Sequence, residues 1–184
     1  MLRHLPNLIC VLRIVLVVPI VAALQRGEYL LTLGLFVVAA VSDGLDGFLA
    51  KRFNWTSELG RFLDPLADKL LLVAVFVTAS WVGIVPWWLA AAAIARDLVI
   101  GVGALIFRLW FGPLRGRPTL ISKVNTLLQI LFLCAAVLAA ASGLPPREVV
   151  AALALVTLLA TFASGADYLG QFVKRAWSMP AGSR

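Results

Sequence analysis

The chain has 184 residues, 62% of them hydrophobic and 14% charged, with a mean hydropathy of +0.99. Water-soluble domains carry about 25% charged residues, so an ordinary globular protein is excluded. The 16 Lys and Arg exceed the 9 Asp and Glu for a net +7, but they stand mostly at the ends of apolar runs, which points to membrane topology and anionic headgroups and away from nucleic acid.

Hydropathy predicts six helical spans, at residues 7–24, 29–50, 60–82, 86–109, 119–141 and 147–173. Six spans of roughly 20 residues use about 120 residues. The expectation is therefore an all-α, polytopic membrane protein with a single domain over residues 1–184 and no separate soluble part. The first span ends in Val21, Ala22 and Ala23 and so imitates a secretory signal. Arg13 interrupts its apolar core and more spans follow, so it reads as a retained helix. Breaks fall at Gln25-Arg26-Gly27, at 54–57, from Gly83 to Pro86, from Gly112 to Pro118 and from Ser142 to Pro146, all polar or turn-forming clusters. Eleven Lys and Arg gather toward one side and only Arg26 and Arg147 lie in loops on the other, which puts both termini in the cytoplasm. Trp87, Trp88, Trp110 and Trp177 fit interfacial anchors. Cys10 and Cys134 stand far apart inside apolar runs and read as small packing residues.

Against this background the carboxylates are out of place. Each costs roughly 2.5–3.5 kcal/mol inside a span, yet Asp43 and Asp46 close the second span and Asp64 and Asp68 open the third. Spacings of three and four put each pair on one helix face. Asp46 is five residues short of Lys51 and Asp64 is four past Gly60, so at 1.5 Å per residue both lie about 6–8 Å below the cytoplasmic boundary. A hairpin of the two spans brings four acids to one level, in a cavity near the cytoplasmic face. Lys51, Arg52 and Lys69 do not obviously neutralise them all. Hard divalent cations do, through carboxylate oxygens, and two together form a clamp suited to displacement at phosphorus. Helix-surface ion pairs are the bland alternative. Gly44, Gly47 and Ala50 keep the hairpin free of bulk, and Gly60 opens the next helix.

The run Asp43-x2-Asp46-Gly47-x2-Ala50-Lys51-x8-Gly60-x3-Asp64-x3-Asp68 resembles the signature of the CDP-alcohol phosphatidyltransferases almost letter for letter. Pro6-Asn7 and Arg13 are similar to that family's opening helix, with Cys10 where Thr is common. One departure is Lys51 where the family carries Arg, with Arg52 one place later; either cation can serve the diphosphate. The resemblance implies transfer of a phosphatidyl group from CDP-diacylglycerol to an alcohol, with release of CMP. It implies two divalent cations, Mg²⁺ or Mn²⁺, on Asp43, Asp46, Asp64 and Asp68, with Asp68 also the catalytic base. Asn7, Arg13, Asp43, Gly47, Ala50, Lys51 and Gly60 are then the cytidine diphosphate contacts. It further implies a homodimer, in a bacterial cytoplasmic membrane in preference to a mitochondrial inner membrane.

For the acceptor, Arg96 and Asp97 lie inside the fourth span and either pair or face the cavity. Ser122, Asn125, Thr126 and Gln129 share one face of the fifth span, and Arg117 and Lys123 add cations at its rim, where a phosphate is welcome or topology is set. Arg96, Arg117, Lys123 and Asn125 are thus the acceptor candidates. The fifth-span stretch, together with Leu63-Asp64-Pro65-Leu66-Ala67-Asp68-Lys69, resembles the branch that takes phosphatidylglycerol, and Ala104 in the fourth span stands where relatives using glycerol 3-phosphate commonly have Arg; glycerol 3-phosphate is the second choice. An ion-coupled transporter would spread its carboxylates near the midplane or along a pathway, and a membrane prenyltransferase would carry two widely separated aspartate motifs in a larger chain. Asp167 and Tyr168 in the last span have no assigned task.

Overall fold

The computed structural model describes residues 5–53, 58–111 and 119–177, with side chains for 10–42, 67–106, 119–171 and 174. Among these residues the fold is all helical: α1 (Leu5–Gln25), α2 (Tyr29–Phe53), α3 (Glu58–Trp81), α4 (Trp87–Phe111), α5 (Leu120–Ser142) and α6 (Arg147–Trp177). The bounds follow the expected spans to within a few residues. Three stretches, Trp87–Ile106, Leu120–Ser142 and Arg147–Gln171, are long and apolar enough to cross a membrane, while Cys10–Gln25 and Tyr29–Ser42 are shorter apolar segments. Val15, Val18, Leu98, Leu105, Leu159 and Phe162 are exposed on the helices, as befits surfaces solvated by lipid tails.

Helix ends follow local chemistry. Gly27 and Gly83 take positive φ of 75° and 79°, the left-handed conformation that a residue lacking Cβ adopts without strain. At each, a paired bond closes the helix: Glu28 N–H to the Ala23 carbonyl and Gly27 N–H to that of Leu24, then Ile84 N–H to Ala79 and Gly83 N–H to Ser80. Thr119 caps α5, its Oγ1 accepting from the Ser122 N–H at 3.2 Å. Trp81 and Trp87, both exposed, flank the connection from α3 to α4.

The chain divides into two compact units, one formed by residues Met1–Trp87 and Leu133–Arg147, the other by Trp88–Phe132 and Glu148–Arg184. In the first, α1 packs against both α2 and α3. The buried stripe of α1 is Cys10, Arg13, Val17, Ile20 and Leu24; Thr32, Phe36 and Ala39 are buried on α2, and Ala67, Leu71, Val75 and Ala79 on α3. The spacings of three and four keep each set on one helix face. Arg13 is the single charged member. The second unit buries a different kind of stripe: Leu89, Ala93 and Arg96 on α4, Asn125, Gln129 and Phe132 on α5, and Ala154, Thr157, Thr161 and Ser164 on α6. Apolar contact alone gives no drive for helices to associate in lipid, so small and polar side chains at the interface hold such a bundle together.

Candidate active site

Asp68 follows Ala67 at the start of the α3 stripe and therefore stands at its rim, its side chain 40% exposed. Across from it on α1, Arg13 is 1% exposed and donates from Nη1 to Asp68 Oδ1 in an ion pair. A guanidinium taken from solvent needs a counter-charge, since an unpaired buried cation is strongly unfavourable. Asp68 supplies it. The carboxylate is thus gripped on one oxygen from the protein interior while it keeps an accessible side.

Asp43 and Asp46 lie on the last part of α2 and Asp64 on the first part of α3. Their side chains, and those of Asn7, Gly47, Ala50, Lys51 and Gly60, lie outside the described residues, as does Arg117 altogether. Among the described residues no group of three or more His, Cys, Asp or Glu is placed to hold a metal ion; of the four acids, Asp68 alone belongs to that described set. Its partly exposed carboxylate is the kind of oxygen donor that fits a hard divalent cation.

The second unit resolves the charged pair of the fourth span. Arg96 Nη1 donates to Asp97 Oδ1 at 2.6 Å, so the two residues pair. Its remaining directions are also used: Nη2 donates to Ser122 Oγ at 2.6 Å and to Ser164 Oγ at 2.5 Å, and Nε to Ser164 Oγ at 3.2 Å. The Tyr168 ring lies with its centroid 5.8 Å from Cζ, within cation–π range. Arg96 therefore ties α4 to α5 and α6. Asn125 is buried, its Oδ1 2.9 Å from the Thr161 hydroxyl, and Lys123 is exposed. Asp167 accepts from Gln171 Nε2 at 3.1 Å. Of the expected acceptor residues, Arg96 and Asn125 are interior and Lys123 is not.

Sequence reading passed over Thr157, Thr161 and Ser164 and left Tyr168 without a task. Their spacing of four, three and four was a usable signal: a polar stripe along a span this apolar must face protein.

A model of the CDP-alcohol phosphatidyltransferase family matches residues 3–163. The chain belongs to that family. It is 32% identical over 151 residues to human cardiolipin synthase (CMP-forming), covering 73% of this chain and 50% of that protein. It is 40% identical over 108 residues to the CDP-diacylglycerol–glycerol-3-phosphate 3-phosphatidyltransferase of Escherichia coli K12, covering 54% and 56%. To the probable phosphatidylglycerophosphate synthase of Mycobacterium tuberculosis H37Rv the identity is 31% over 107 residues, covering 55% and 51%. The chain spans about half the length of these relatives.

Proposed function

We propose that the protein transfers the phosphatidyl group of CDP-diacylglycerol to an alcohol and releases CMP. The observation that carries this reading is Asp68, the last acid of the family signature, held on a membrane helix by a buried arginine and still accessible. In the reaction the acceptor oxygen forms a bond to the phosphorus that carries the diacylglycerol. The bond from that phosphorus to the CMP oxygen breaks, and CMP leaves with the electron pair. Asp68 takes the hydroxyl proton; a positioned base of this kind contributes about 10²–10⁴-fold. Asp43, Asp46, Asp64 and Asp68 would hold two divalent cations, Mg²⁺ or Mn²⁺, which when bound neutralise the diphosphate. Gly47, Ala50 and Gly60 leave room for the nucleotide, and Lys51 or Arg52 meets its phosphates. The six helices span the membrane with both termini in the cytoplasm, and the single domain works as a homodimer in a bacterial inner membrane.

For the acceptor we favour phosphatidylglycerol, the cardiolipin synthase reaction. Ala104 leaves that place on α4 without a cation, and Arg96 already has partners in Asp97, Ser122 and Ser164. A single phosphodiester asks less positive charge of the site than the phosphomonoester of glycerol 3-phosphate, and Arg117, Lys123 and Asn125 complete the acceptor set. Glycerol 3-phosphate remains the second reading, favoured by the 40% identity to the Escherichia coli enzyme. Purified protein given CDP-diacylglycerol and each acceptor in turn tests both. CMP release with phosphatidylglycerol and none with glycerol 3-phosphate is expected, and the opposite pattern overturns the choice.

A further inference from the structure

The family resemblance makes Arg13 a nucleotide contact. Its surroundings fit a different task. We propose that Arg13 is a positioning residue that sets the carboxylate of Asp68 from inside the bundle, and that it does not touch the cytidine diphosphate. The proposal rests on the functional reading above and deepens it at one residue.

Three observations support it. First, Arg13 is 1% exposed and sits in the buried α1 stripe between Cys10 and Val17, the setting of a side chain that supports a neighbour from the interior. Second, its Nη1 grips Asp68 Oδ1, and the helices that carry the pair, α1 and α3, are packed on each other, so the grip transmits a fixed position. Third, the exposure of the two partners is opposite, 1% against 40%. The arginine is the buried support and the aspartate is the working face. Carboxylates that bind metal are commonly oriented by a hydrogen-bonded group behind them, and loss of that group typically weakens metal affinity or activity by about 10–100-fold. Arginine suits the task because its planar fork fixes direction, which a lysine ammonium does not.

The test uses the purified protein in detergent with Mn²⁺ as the probe. Mn²⁺ binding is followed by calorimetry and CMP release is measured against CDP-diacylglycerol concentration. Arg13→Gln is expected to weaken Mn²⁺ binding and lower kcat, each by about 10–100-fold, while KM for CDP-diacylglycerol stays within about twofold, the pattern of lost positioning and not of lost substrate binding. Arg13→Lys restores part of both. In an Asp68→Asn background, Arg13→Gln adds no further loss of Mn²⁺ affinity. A KM raised about tenfold with unchanged Mn²⁺ binding makes Arg13 a nucleotide contact and overturns the proposal. Should Arg13→Gln fail to fold, Arg13→Lys is read the same way: weaker Mn²⁺ binding at constant KM supports positioning, and raised KM at constant Mn²⁺ binding overturns it. A wild-type protein that binds Mn²⁺ but releases no CMP with any acceptor defeats the functional reading, and the Mn²⁺ comparison still decides the role of Arg13. A wild-type protein that binds no Mn²⁺ defeats the positioning proposal.

Discussion

The guanidinium of Arg96 on α4 places two of its N–H groups on one hydroxyl, that of Ser164 on α6, at 2.5 and 3.2 Å. Ser164 is fully buried, so its loss leaves those donors with no solvent to turn to. Neutral side-chain hydrogen bonds between membrane helices are worth only about 0.6 kcal/mol on average, whereas bonds to a charged group contribute about 1.5–3 kcal/mol. Ser164→Ala is expected to lower the unfolding free energy in mixed micelles by about that larger amount. A change no greater than about 0.6 kcal/mol would show that Arg96 does not depend on this contact.

Asp68→Asn keeps the shape of the side chain and removes its charge. CMP release is expected to fall about 10²–10⁴-fold, with retention of CDP-diacylglycerol measured by equilibrium binding. The same variant deprives Arg13 of this carboxylate, so a lower unfolding midpoint accompanies the lost turnover. Near-normal turnover removes Asp68 from the role of base.

Chelation tests the donor set as a whole. Four carboxylates on two helices favour hard cations, so dialysis against EDTA abolishes CMP release and either Mg²⁺ or Mn²⁺ restores it. Turnover that survives exhaustive chelation contradicts the metal assignment.

Gln129 lies on the buried face of α5 at 3% exposure, and its Nε2 has no hydrogen-bond partner among the described residues. A buried donor left unpaired costs about 1–3 kcal/mol. Gln129→Met, similar in length and free of that donor, is expected to stabilise the protein by about 1 kcal/mol in chemical denaturation. A loss of stability instead means that the amide is satisfied in the membrane-embedded protein.

Two glycines separate backbone strain from packing, because an added Cβ meets nothing within 4 Å at either Gly83 or Gly101. Gly83 has φ +79°, so Gly83→Ala forces a left-handed alanine and costs about 1–2 kcal/mol. Gly101 lies within α4, where alanine is the better helix former by about 0.5–1 kcal/mol. Thermal unfolding midpoints of the two variants should move in opposite directions; movement in the same direction breaks the argument.

Much of the architecture was legible from the chain order of residues. Helix bounds came within a few residues because apolar runs and the clusters that end them are local features. The polar face of α5 was legible too: Asn125 and Gln129 are buried, with Ser122 and Thr126 half-buried beside them. The matching face of α6 went unread, since Thr157, Thr161 and Ser164 are small hydroxyl residues that scarcely dent the hydropathy of a 25-residue apolar stretch. Arg96 and Asp97 were left between pairing and cavity. Their neighbours in sequence could not decide it, because the deciding hydroxyls, Ser122 and Ser164, come from two other helices.

By itself, the sequence determined a helical chain of membrane character and, in it, four aspartates at the fixed spacing of the family signature. Both follow from local rules: apolar length sets a span, and an acid inside one must have a purpose. Only the tertiary structure decided which acid meets which base. Arg13 and Asp68 are 55 residues apart, and no periodicity within α1 or α3 says that their rims coincide. That pairing comes from the packing of α3 on α1, which brings the charge of a buried cation to a carboxylate at the rim.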